Sequence, residues 1–268
     1  MSYSLKLSHF SPDDIANSGQ VFRMLHTGDA EWTLCAGCER LIITVEEDAT
    51  VTFSCTEEAF QTRWAAYFDI ADDYAGAIDR IPESHGFLRA AAQAGAGLRI
   101  LRQDPWEMLI TFIISQRKSI PAIRTSVERL CALCGEDMGG WYAFPTPEAI
   151  AACTMDELRS CGVGYRAKYI HATAMMCLGR DLHELDAMDD DALLEALLAF
   201  PGVGVKVAHR VMLFGFHRLA SAPVDVWIQR VIDTHYGGVN PFPQYGSLAG
   251  LYQQYMFFYQ QHVLSNEK

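Results

Sequence analysis

Two copies of a glycine-hinged turn between apolar segments constrain the fold of this chain more than any other feature. The segment Leu158-Arg-Ser-Cys-Gly-Val-Gly-Tyr-Arg166 is similar to Leu198-Ala-Phe-Pro-Gly-Val-Gly-Val-Lys206. Each pattern predicts a helix, a Gly-x-Gly hairpin and a second helix, because glycine takes positive φ angles without steric cost. The sequence therefore predicts a helical region with a repeated helix–hairpin–helix unit, the second copy at about residues 194–215.

The first part of the chain has a different pattern, which is typical of antiparallel strands. Arg40–Val45 and Thr50–Ser54 are β-branched and apolar, and the polar segment Glu46–Ala49 separates them as a hairpin turn. Glu31–Leu34 reads as a further strand, and helix signals take over from about Ile81. We therefore predict an α+β protein, in which an N-terminal antiparallel β-sheet domain (residues 1–84) packs on a helical body (residues 85–268).

Helix start signals support the second half of this prediction. Asp104-Pro105 combines an N-capping side chain with a proline at the first helical position, and it opens the apolar segment Trp106–Ser115. Thr154–Glu157 has the spacing of a capping box. Because Trp106–Ser115 is almost wholly apolar, we expect that helix to be buried.

Charge and composition exclude some classes of protein. The chain of 268 residues is half hydrophobic, and its apolar stretches are too short to span a bilayer. We expect a soluble, cytoplasmic protein, associated with the nucleoid in a prokaryote, because the N-terminus has no signal-peptide pattern. The net charge of −12 argues against nucleic acid as a partner unless the acidic residues are segregated. They do cluster, at Glu46–Asp48, Asp69–Asp73 and Asp181–Asp191, and we expect these runs to form solvated faces.

The eight cysteines include two C-x-x-C pairs, Cys35/Cys38 and Cys131/Cys134. Such pairs can bind zinc, but the second falls within a helical pattern where small thiols pack well, so we expect no metal site. No cysteine follows Cys177, which argues against an iron–sulfur loop near the C-terminus.

The segment around the second hairpin contains the residues of greatest chemical interest. A Gly-x-Gly turn that opens a helix leaves backbone N–H groups free to face a phosphate, which gives Gly202 and Gly204 a binding role. Lys206 comes two residues after Gly204, and Asp225 comes nineteen residues later in Ala222-Pro-Val-Asp-Val226. Considered alone, Lys206 would be interpreted as a solvated surface lysine, and Asp225 as the N-cap of a helix over Val226–Ile232.

Together these residues resemble the helix–hairpin–helix, Gly/Pro…Asp motif of base-excision DNA glycosylases. The resemblance implies that the hairpin binds DNA phosphate, that Lys206 attacks the sugar of a flipped nucleotide, and that Asp225 stabilises the positive charge on that sugar. A lysine here implies a bifunctional enzyme, because the Schiff base it forms permits strand cleavage by β-elimination. No cofactor is implied, although carbonyl groups of the hairpin could hold a monovalent cation.

Matches elsewhere resemble the eukaryotic-type 8-oxoguanine DNA glycosylases over most of the chain. Ser18-Gly-Gln-Val-Phe-Arg23 implies that the Gly19 carbonyl accepts a hydrogen bond from N7–H, a donor that 8-oxoguanine has and guanine lacks. Ala249-Gly-Leu-Tyr-Gln-Gln-Tyr-Met-Phe257 implies that Gln253 reads the Watson–Crick edge of the base and that Phe257 stacks on its face.

Two further segments match the parts of that family that replace the flipped nucleotide. Gly162-Val-Gly-Tyr-Arg-Ala-Lys-Tyr169 implies that Tyr165 wedges beside the vacated position and that Arg166 contacts the orphaned opposite base. Arg117, after Asp104-Pro-Trp-Glu…Ser115-Gln116, stands where the family has an asparagine that fills the gap. The implied partner is double-stranded DNA that contains oxidised guanine, bound by a monomer.

Three positions depart from the family pattern. Ala122 stands where eukaryotic members have an arginine that helps to recognise the opposite cytosine, so we expect relaxed opposite-base selectivity. Arg210 replaces a cysteine that stacks on the lesion, and Trp227 replaces a histidine. The alternatives are a related glycosylase for another oxidised or alkylated base, and a non-enzymatic helix–hairpin–helix module that binds DNA.

Overall fold

A single antiparallel sheet dominates the N-terminal region of the structure, a computed structural model that describes residues 1–264. Its strands are β1 (Tyr3–Lys6), β2 (Met24–Gly28), β3 (Glu31–Ala36), β4 (Glu39–Val45) and β5 (Thr50–Phe53). Their order in the sheet is β1-β5-β4-β3-β2. The predicted strands over 31–34, 40–45 and 50–54 are confirmed.

Buried apolar residues alternate with more exposed residues along β4 and β5, which gives the sheet one buried face. Leu41 and Ile43 in β4 point to the same side as Val51 and Phe53 in β5, and all four are fully buried. Ile43 lies opposite Phe53 in the register of the two strands. Cross-strand apolar pairs of this kind stabilise a sheet whose second face remains in contact with water.

The N-terminal region also contains helices that the sequence analysis did not predict. They are α1 (Pro12–Asn17), α2 (Glu57–Ala59), a π-helical turn (Phe60–Trp64), α3 (Ala65–Tyr67) and α4 (Tyr74–Asp79). Ser11 and Thr56 cap α1 and α2 by accepting hydrogen bonds from backbone N–H groups. Phe60, Trp64 and Phe68 recur every fourth residue and cover the apolar face of the sheet. Helical structure therefore begins well before the expected Ile81.

The helical body confirms the other half of the predicted fold class. Its helices are α5 (Gly86–Ala94), α6 (Pro105–Ser115), α7 (Ile120–Cys134), α8 (Pro147–Ala151), α9 (Met155–Leu158), α10 (Ala167–Cys177), α11 (Asp190–Leu198), α12 (Val205–Phe214), α13 (Val226–His235) and α14 (Ala249–Phe258). Shorter π-helical turns (Arg159–Val163, Tyr259–Val263) and 3₁₀ segments (Gly164–Arg166, Leu182–Ala187, Phe242–Leu248) connect them.

Helix α6 is the central element of the helical body. Asp104 caps it as predicted, by accepting a hydrogen bond from the N–H of Glu107, and Thr154 and Glu157 form the predicted capping box at α9. Every residue of α6 except Trp106 is buried, and the helix packs against α7 and α12. The loop after its last residue, Ser115, therefore starts from a fixed position.

Asp69 links the two regions and corrects one expectation from the sequence. This acidic residue is buried rather than solvated, because Arg102 donates two hydrogen bonds to its Oδ1, at 3.0 and 2.8 Å. Tyr74 donates to Oδ2 at 3.0 Å, and Arg99 donates to the Asp69 carbonyl at 2.7 Å. Burial raises the pKa of the Asp69 carboxyl, but the hydrogen bond and charge of His217, together with the hydrogen bonds of Arg102, hold it well below its usual range.

The boundary at residue 84 stays a prediction. Tyr74, Ala77 and Ile81 pack in the core of the helical body, whereas Leu101 packs in the core beneath the sheet. No helix within residues 1–264 combines the length and the apolar character that a membrane crossing needs.

Candidate active site

The N-terminal ends of α12 and α13 carry the two residues that the sequence singled out for catalysis. Lys206 is the second residue of α12, two positions after Gly204 at the N-cap. Asp225 is the N-cap of α13, and its Oδ1 accepts hydrogen bonds from the N–H groups of Trp227 and Ile228, at 2.9 and 3.0 Å. Both side chains line one cleft, so the structure brings the predicted pair together.

The second carboxylate oxygen of Asp225 binds Arg210. The distance from Arg210 Nη2 to Asp225 Oδ2 is 2.9 Å, and the Asp225 side chain is only 5% exposed. The guanidinium group also lies 5.7 Å from the centre of the Phe112 ring on α6. From the sequence, Arg210 was only a departure from the family pattern. Its spacing of four residues from Lys206 was the signal that places it beside the pair.

Lys206 is exposed to the cleft, yet its surroundings lower the pKa of its amine. Burial lowers the pKa of Lys206, the positive charge of Arg210 lowers it further, and Asp225 opposes them more weakly. In the part of the chain that the structure describes, no hydrogen bond or ion pair within 4 Å holds its Nζ. A free amine with a lowered pKa is what a lysine nucleophile requires.

The cleft around the pair has a volume of about 640 Å³. It is lined by residues from both ends of the chain and from the loop after α6, among them Gly19, Arg117, Lys206, Arg210, Asp225 and Phe257. A space of this size is within the range of small-molecule sites in proteins, and it can hold an extruded nucleotide.

Gly19 enters the cleft in a conformation that only glycine adopts readily. Its φ angle is +75°, and a Cβ atom built on it would lie 3.3 Å from Cε1 of Phe257. The neighbouring backbone is fixed, because Gln254 Nε2 donates to the Ser18 carbonyl at 2.5 Å and Gln103 Nε2 donates to the Gln20 carbonyl at 2.8 Å. Gln254 and Gln103 were not predicted, since a single glutamine in a helical pattern gives no signal of its partner.

Gln253 and Phe257 lie on one face of α14, as their spacing predicts. Phe257 lines the cleft. Gln253 is 3% exposed, and its Oε1 has no hydrogen-bond partner among residues 1–264. The structure therefore brings Phe257 to Gly19, and it leaves Gln253 with an unused acceptor one helical turn away.

Arg117 lies in the loop between α6 and α7. It is exposed, lines the cleft, and has a φ angle of +53°, which is uncommon for a residue with a side chain. Its neighbour Lys118 is tied down, because its Nζ donates to Ser126 Oγ and to the Gly162 carbonyl, both at 2.7 Å. In this loop the Arg117 side chain is therefore exposed to the cleft, whereas the Lys118 amine is fixed by hydrogen bonds.

The first Gly-x-Gly turn places Tyr165 and Arg166 differently. Tyr165 is 52% exposed, whereas Arg166 is buried with its guanidinium 4.5 Å from the Tyr165 ring centre. Arg166 donates to the Val163 carbonyl at 3.1 Å and to the Gln116 carbonyl. The exposure of Tyr165 is compatible with a wedge into DNA, but that role and the contact of Arg166 with an opposite base both stay predictions.

The second Gly-x-Gly turn leaves a helix end open to solvent. Gly202 has a φ angle of +79°, packs against Tyr169, and its carbonyl accepts a hydrogen bond from Gln116 Nε2 at 3.0 Å. Gly204 is exposed, and no side chain caps the N–H groups that follow it. Free N–H groups and the helix dipole favour an anion at this point.

One side-chain group within residues 1–264 has the proximity that a shared metal ion needs: Asp69, Asp72 and His217. Arg102 already binds the Asp69 carboxylate there, so this group is an ion-pair network. None of the cysteines belongs to such a group, and all eight are free thiols.

Comparison with known proteins places this geometry in a family. The profile of the HhH-GPD superfamily of base excision DNA repair proteins matches residues 110–246, and the N-terminal domain of 8-oxoguanine DNA glycosylase matches residues 2–109. A probable N-glycosylase/DNA lyase from Methanothermobacter thermautotrophicus is 32% identical, over 71% of this chain and 70% of the relative. An N-glycosylase/DNA lyase from Saccharomyces cerevisiae is 33% identical, over 67% of this chain and 52% of its own length.

A solved structure agrees over the whole molecule. The 8-oxoguanine glycosylase/lyase of Clostridium acetobutylicum, in complex with double-stranded DNA containing cytosine opposite 8-oxoguanine, is 29% identical, with a TM-score of 0.89 over 100% of this chain and 99% of that one. The two matching profiles, the catalytic-pair geometry and this shared fold lead to one conclusion: the chain belongs to the HhH-GPD superfamily of base excision DNA repair proteins.

Proposed function

We propose that this protein removes 8-oxoguanine from double-stranded DNA, with Lys206 as the nucleophile and Asp225 as its electrostatic partner. It is a bifunctional enzyme, a DNA N-glycosylase with associated lyase activity at abasic sites. One observation carries the residue assignment. Lys206, whose amine has no ion-pair partner within residues 1–264, and Asp225, the N-cap of α13, line the same cleft as Gly19 and Phe257.

The chemistry follows from the two charged groups. The lone pair of Lys206 Nζ attacks C1′, and the bond from C1′ to the base nitrogen breaks with its electron pair leaving on the base, which takes up a proton as the amine loses one. Positive charge develops on the sugar as that bond lengthens, and the Asp225 carboxylate stabilises it. Opening of the sugar ring then leaves an imine, which permits removal of a C2′ proton and expulsion of the 3′ phosphate.

Recognition of the lesion is assigned to the other wall of the cleft. The Gly19 backbone is held in place by Gln254 and by the contacts of Gln20, so its carbonyl is a fixed acceptor for the N7–H of 8-oxoguanine. Guanine would instead present a lone pair there, and a buried carbonyl without a donor costs about 1–3 kcal/mol. Phe257 provides the stacking face, and the free acceptor of Gln253 is available to a donor on the base once the cleft rearranges.

Binding of DNA is assigned to the face that carries the open end of α12. Gly202 and Gly204 are proposed to bind a phosphate through backbone N–H groups, while Arg117 and Tyr165 fill the position of the flipped nucleotide. Cationic side chains gather at this cleft although the chain as a whole carries a net charge of −12. Local positive potential of this kind is enough to bind a polyanion.

We further propose that the protein acts as a monomer, in the cytoplasm or on the nucleoid of its cell, and without a resident cofactor. The proposed steps use an amine and a carboxylate, both supplied by this chain.

The test is a panel of duplexes, each with one damaged base, incubated with the wild-type protein. We expect excision of 8-oxoguanine to be faster than excision of oxidised pyrimidines or alkylated purines, and to be accompanied by strand cleavage. Preferred excision of an alkylated purine without strand cleavage would contradict the proposal.

Opposite-base selectivity is tested with the same lesion paired to each of the four bases. Ala122, in the first turn of α7, has no group that donates a hydrogen bond to cytosine. We expect excision rates that differ little among the four pairs. A strong preference for cytosine would show that another residue, such as Arg166, reads the opposite base.

A further inference from the structure

We infer that Arg210 is a positioning residue of this active site: it occupies the free oxygen of Asp225 and thereby leaves the Lys206 amine without an ion-pair partner. The inference rests on the proposed function, because it concerns the same nucleophile.

The geometry of α12 supports this role. Arg210 follows Lys206 by four residues, so both side chains project from the same face of the helix toward the N-terminus of α13. Only Arg210 reaches the carboxylate, at 2.9 Å. Asp225 then accepts three hydrogen bonds, two from backbone N–H groups and one from the guanidinium.

Arg210 is itself held from two sides. Its side chain is 21% exposed, and its guanidinium lies near the ring of Phe112 on the buried helix α6 while it binds Asp225 on α13. A planar guanidinium that meets a carboxylate and an aromatic ring has a defined orientation, which a lysine at the same position lacks. Arg210 therefore fixes the carboxylate relative to α6 and α12.

The charges around Lys206 make the consequence testable. Arg210 and Asp225 are the groups that act on it, and Arg117, Lys118, Arg124 and His262 line the rest of the cleft. Burial and Arg210 lower the pKa of Lys206, and Asp225 raises it. Loss of the Arg210 charge should raise the pKa of Lys206 for two reasons. A neighbouring cation is removed, and the Asp225 carboxylate becomes available to the lysine. Both changes favour the protonated amine, which cannot attack C1′.

The experiment measures single-turnover strand cleavage of a duplex with a preformed abasic site, between about pH 6 and pH 9, with enzyme in excess. This substrate needs the amine but no lesion base. The variants are Arg210→Met, Arg210→Gln and Arg210→Lys, with Arg89→Met as the matched control, since Arg89 is an exposed arginine of α5 outside the cleft.

We expect the acid limb of the pH–rate profile to move to higher pH in Arg210→Met and Arg210→Gln. Their rates fall by about tenfold or more at the acid end of the range, and recover toward the wild-type rate at the alkaline end. Arg210→Lys keeps a cation beside Lys206, so its acid limb stays close to that of the wild type. Arg89→Met gives the wild-type profile.

Two results would overturn the inference. One is a loss of rate by the same factor at every pH, which a purely structural role produces. The other is an unchanged profile in a folded Arg210→Met or Arg210→Gln protein, since both lack the charge beside Lys206. Failure of the proposed function looks different, because the wild-type protein would then leave both the abasic and the 8-oxoguanine duplexes intact.

Discussion

At the scale of single residues, Asp225 has a structural role as a helix cap and a proposed role in catalysis, which the sequence could not separate. Its Oδ1 caps α13 by accepting hydrogen bonds from two backbone N–H groups, and its Oδ2 binds Arg210, which lines the cleft. Cap and catalytic carboxylate were alternatives on sequence grounds. In the structure the side chain caps α13 and also lines the cleft, so the proposed catalytic role is compatible with the cap. Asparagine caps a helix about as well as aspartate, which allows the two functions to be tested apart.

Asp225→Asn is predicted to reduce base excision while the fold is retained. The cap remains, whereas Arg210 loses the charge of its partner, so the free energy of unfolding should fall by no more than about 3 kcal/mol. The charge that stabilises the developing positive sugar is lost, which should slow single-turnover excision by about 100-fold or more. Asp189→Asn, at the matched N-cap of α11, is the control and should keep wild-type excision. Equal rates in the two variants would contradict the role of Asp225.

Gly19→Ala is predicted to impair recognition of the lesion more than the lyase step. Its φ of +75° strains any side chain, and the new Cβ would lie 3.3 Å from Cε1 of Phe257. Excision of 8-oxoguanine should fall strongly, whereas cleavage of a preformed abasic site should be largely kept. Gly86→Ala, where a Cβ meets open space, is the control. A parallel loss of both activities in Gly19→Ala would instead indicate general damage to the cleft.

At the scale of elements, the hairpin between α11 and α12 depends on two glycines for different reasons. Gly202 has a φ of +79°, and a Cβ there would lie 2.6 Å from the Tyr169 ring on α10. Gly204 has a φ of −100° and open space around its Cβ position. The absence of a side chain at Gly202 therefore lets the two repeated units pack closely against each other. The absence of a side chain at Gly204 leaves the N-terminal end of α12 accessible.

The paired variants Gly202→Ala and Gly204→Ala test this division. Gly202→Ala should lower the free energy of unfolding by about 1–3 kcal/mol, because strain and a clash with Tyr169 both act on the folded state. Gly204→Ala should unfold like the wild type yet bind duplex DNA more weakly, because its methyl group would stand at the proposed phosphate site. Denaturant unfolding and fluorescence titration with DNA measure the two effects. Weak DNA binding with unchanged stability in Gly202→Ala would reverse the assignment.

Sequence patterns predicted the strands whose residues are β-branched and apolar, and the helix that begins with a clear N-capping residue. The strands over Glu39–Val45 and Thr50–Phe53 and the helix after Asp104 belong to this group. The short helices between Glu57 and Asp79 were not predicted, because two of them have only three residues each and the π-helical turn between those two breaks the usual helical period. The contact of Gln116 with the Gly202 carbonyl was also not predicted, since a hydrogen bond across 86 residues leaves no local pattern.

The same limit applies to the cleft as a whole. Motif spacing identified Lys206 and Asp225, and resemblance supplied Gly19, Phe257 and Arg117. The ion pair of Arg210 with Asp225 depends on how α12 and α13 meet, which no local pattern describes. The burial of Arg166 depends in the same way on the loop after α6, which accepts its hydrogen bond at Gln116.

At the scale of the whole molecule, Glu107 lies where the sheet meets the helical body. It belongs to α6, and its Oε2 accepts a weak hydrogen bond from the N–H of Gly37, between β3 and β4, at 3.4 Å. It lies beside a cavity of about 450 Å³, separate from the catalytic cleft. Burial raises its pKa from 4.5 to about 7, although the positive charge of Arg23 acts in the opposite direction.

This raised pKa predicts a pH dependence of stability. The folded protein holds the Glu107 proton more tightly than the unfolded chain does, so the free energy of unfolding falls as pH rises from about 4.5 to about 7. Glu107→Gln lacks that loss and should be more stable than the wild type above pH 7, by up to about 3 kcal/mol. The two proteins should converge below about pH 4.5. A variant less stable than the wild type at pH 8 would show that the ionised carboxylate stabilises the junction.

The central claim, that Lys206 forms a covalent bond with the sugar, is tested most directly by borohydride trapping on a duplex that contains 8-oxoguanine. Reduction of the imine makes the adduct permanent, so the wild-type protein should become linked to DNA. Lys206→Gln should fold, bind the same duplex and give no adduct. An adduct that persists in Lys206→Gln would show that another amine is the nucleophile and would contradict the assignment.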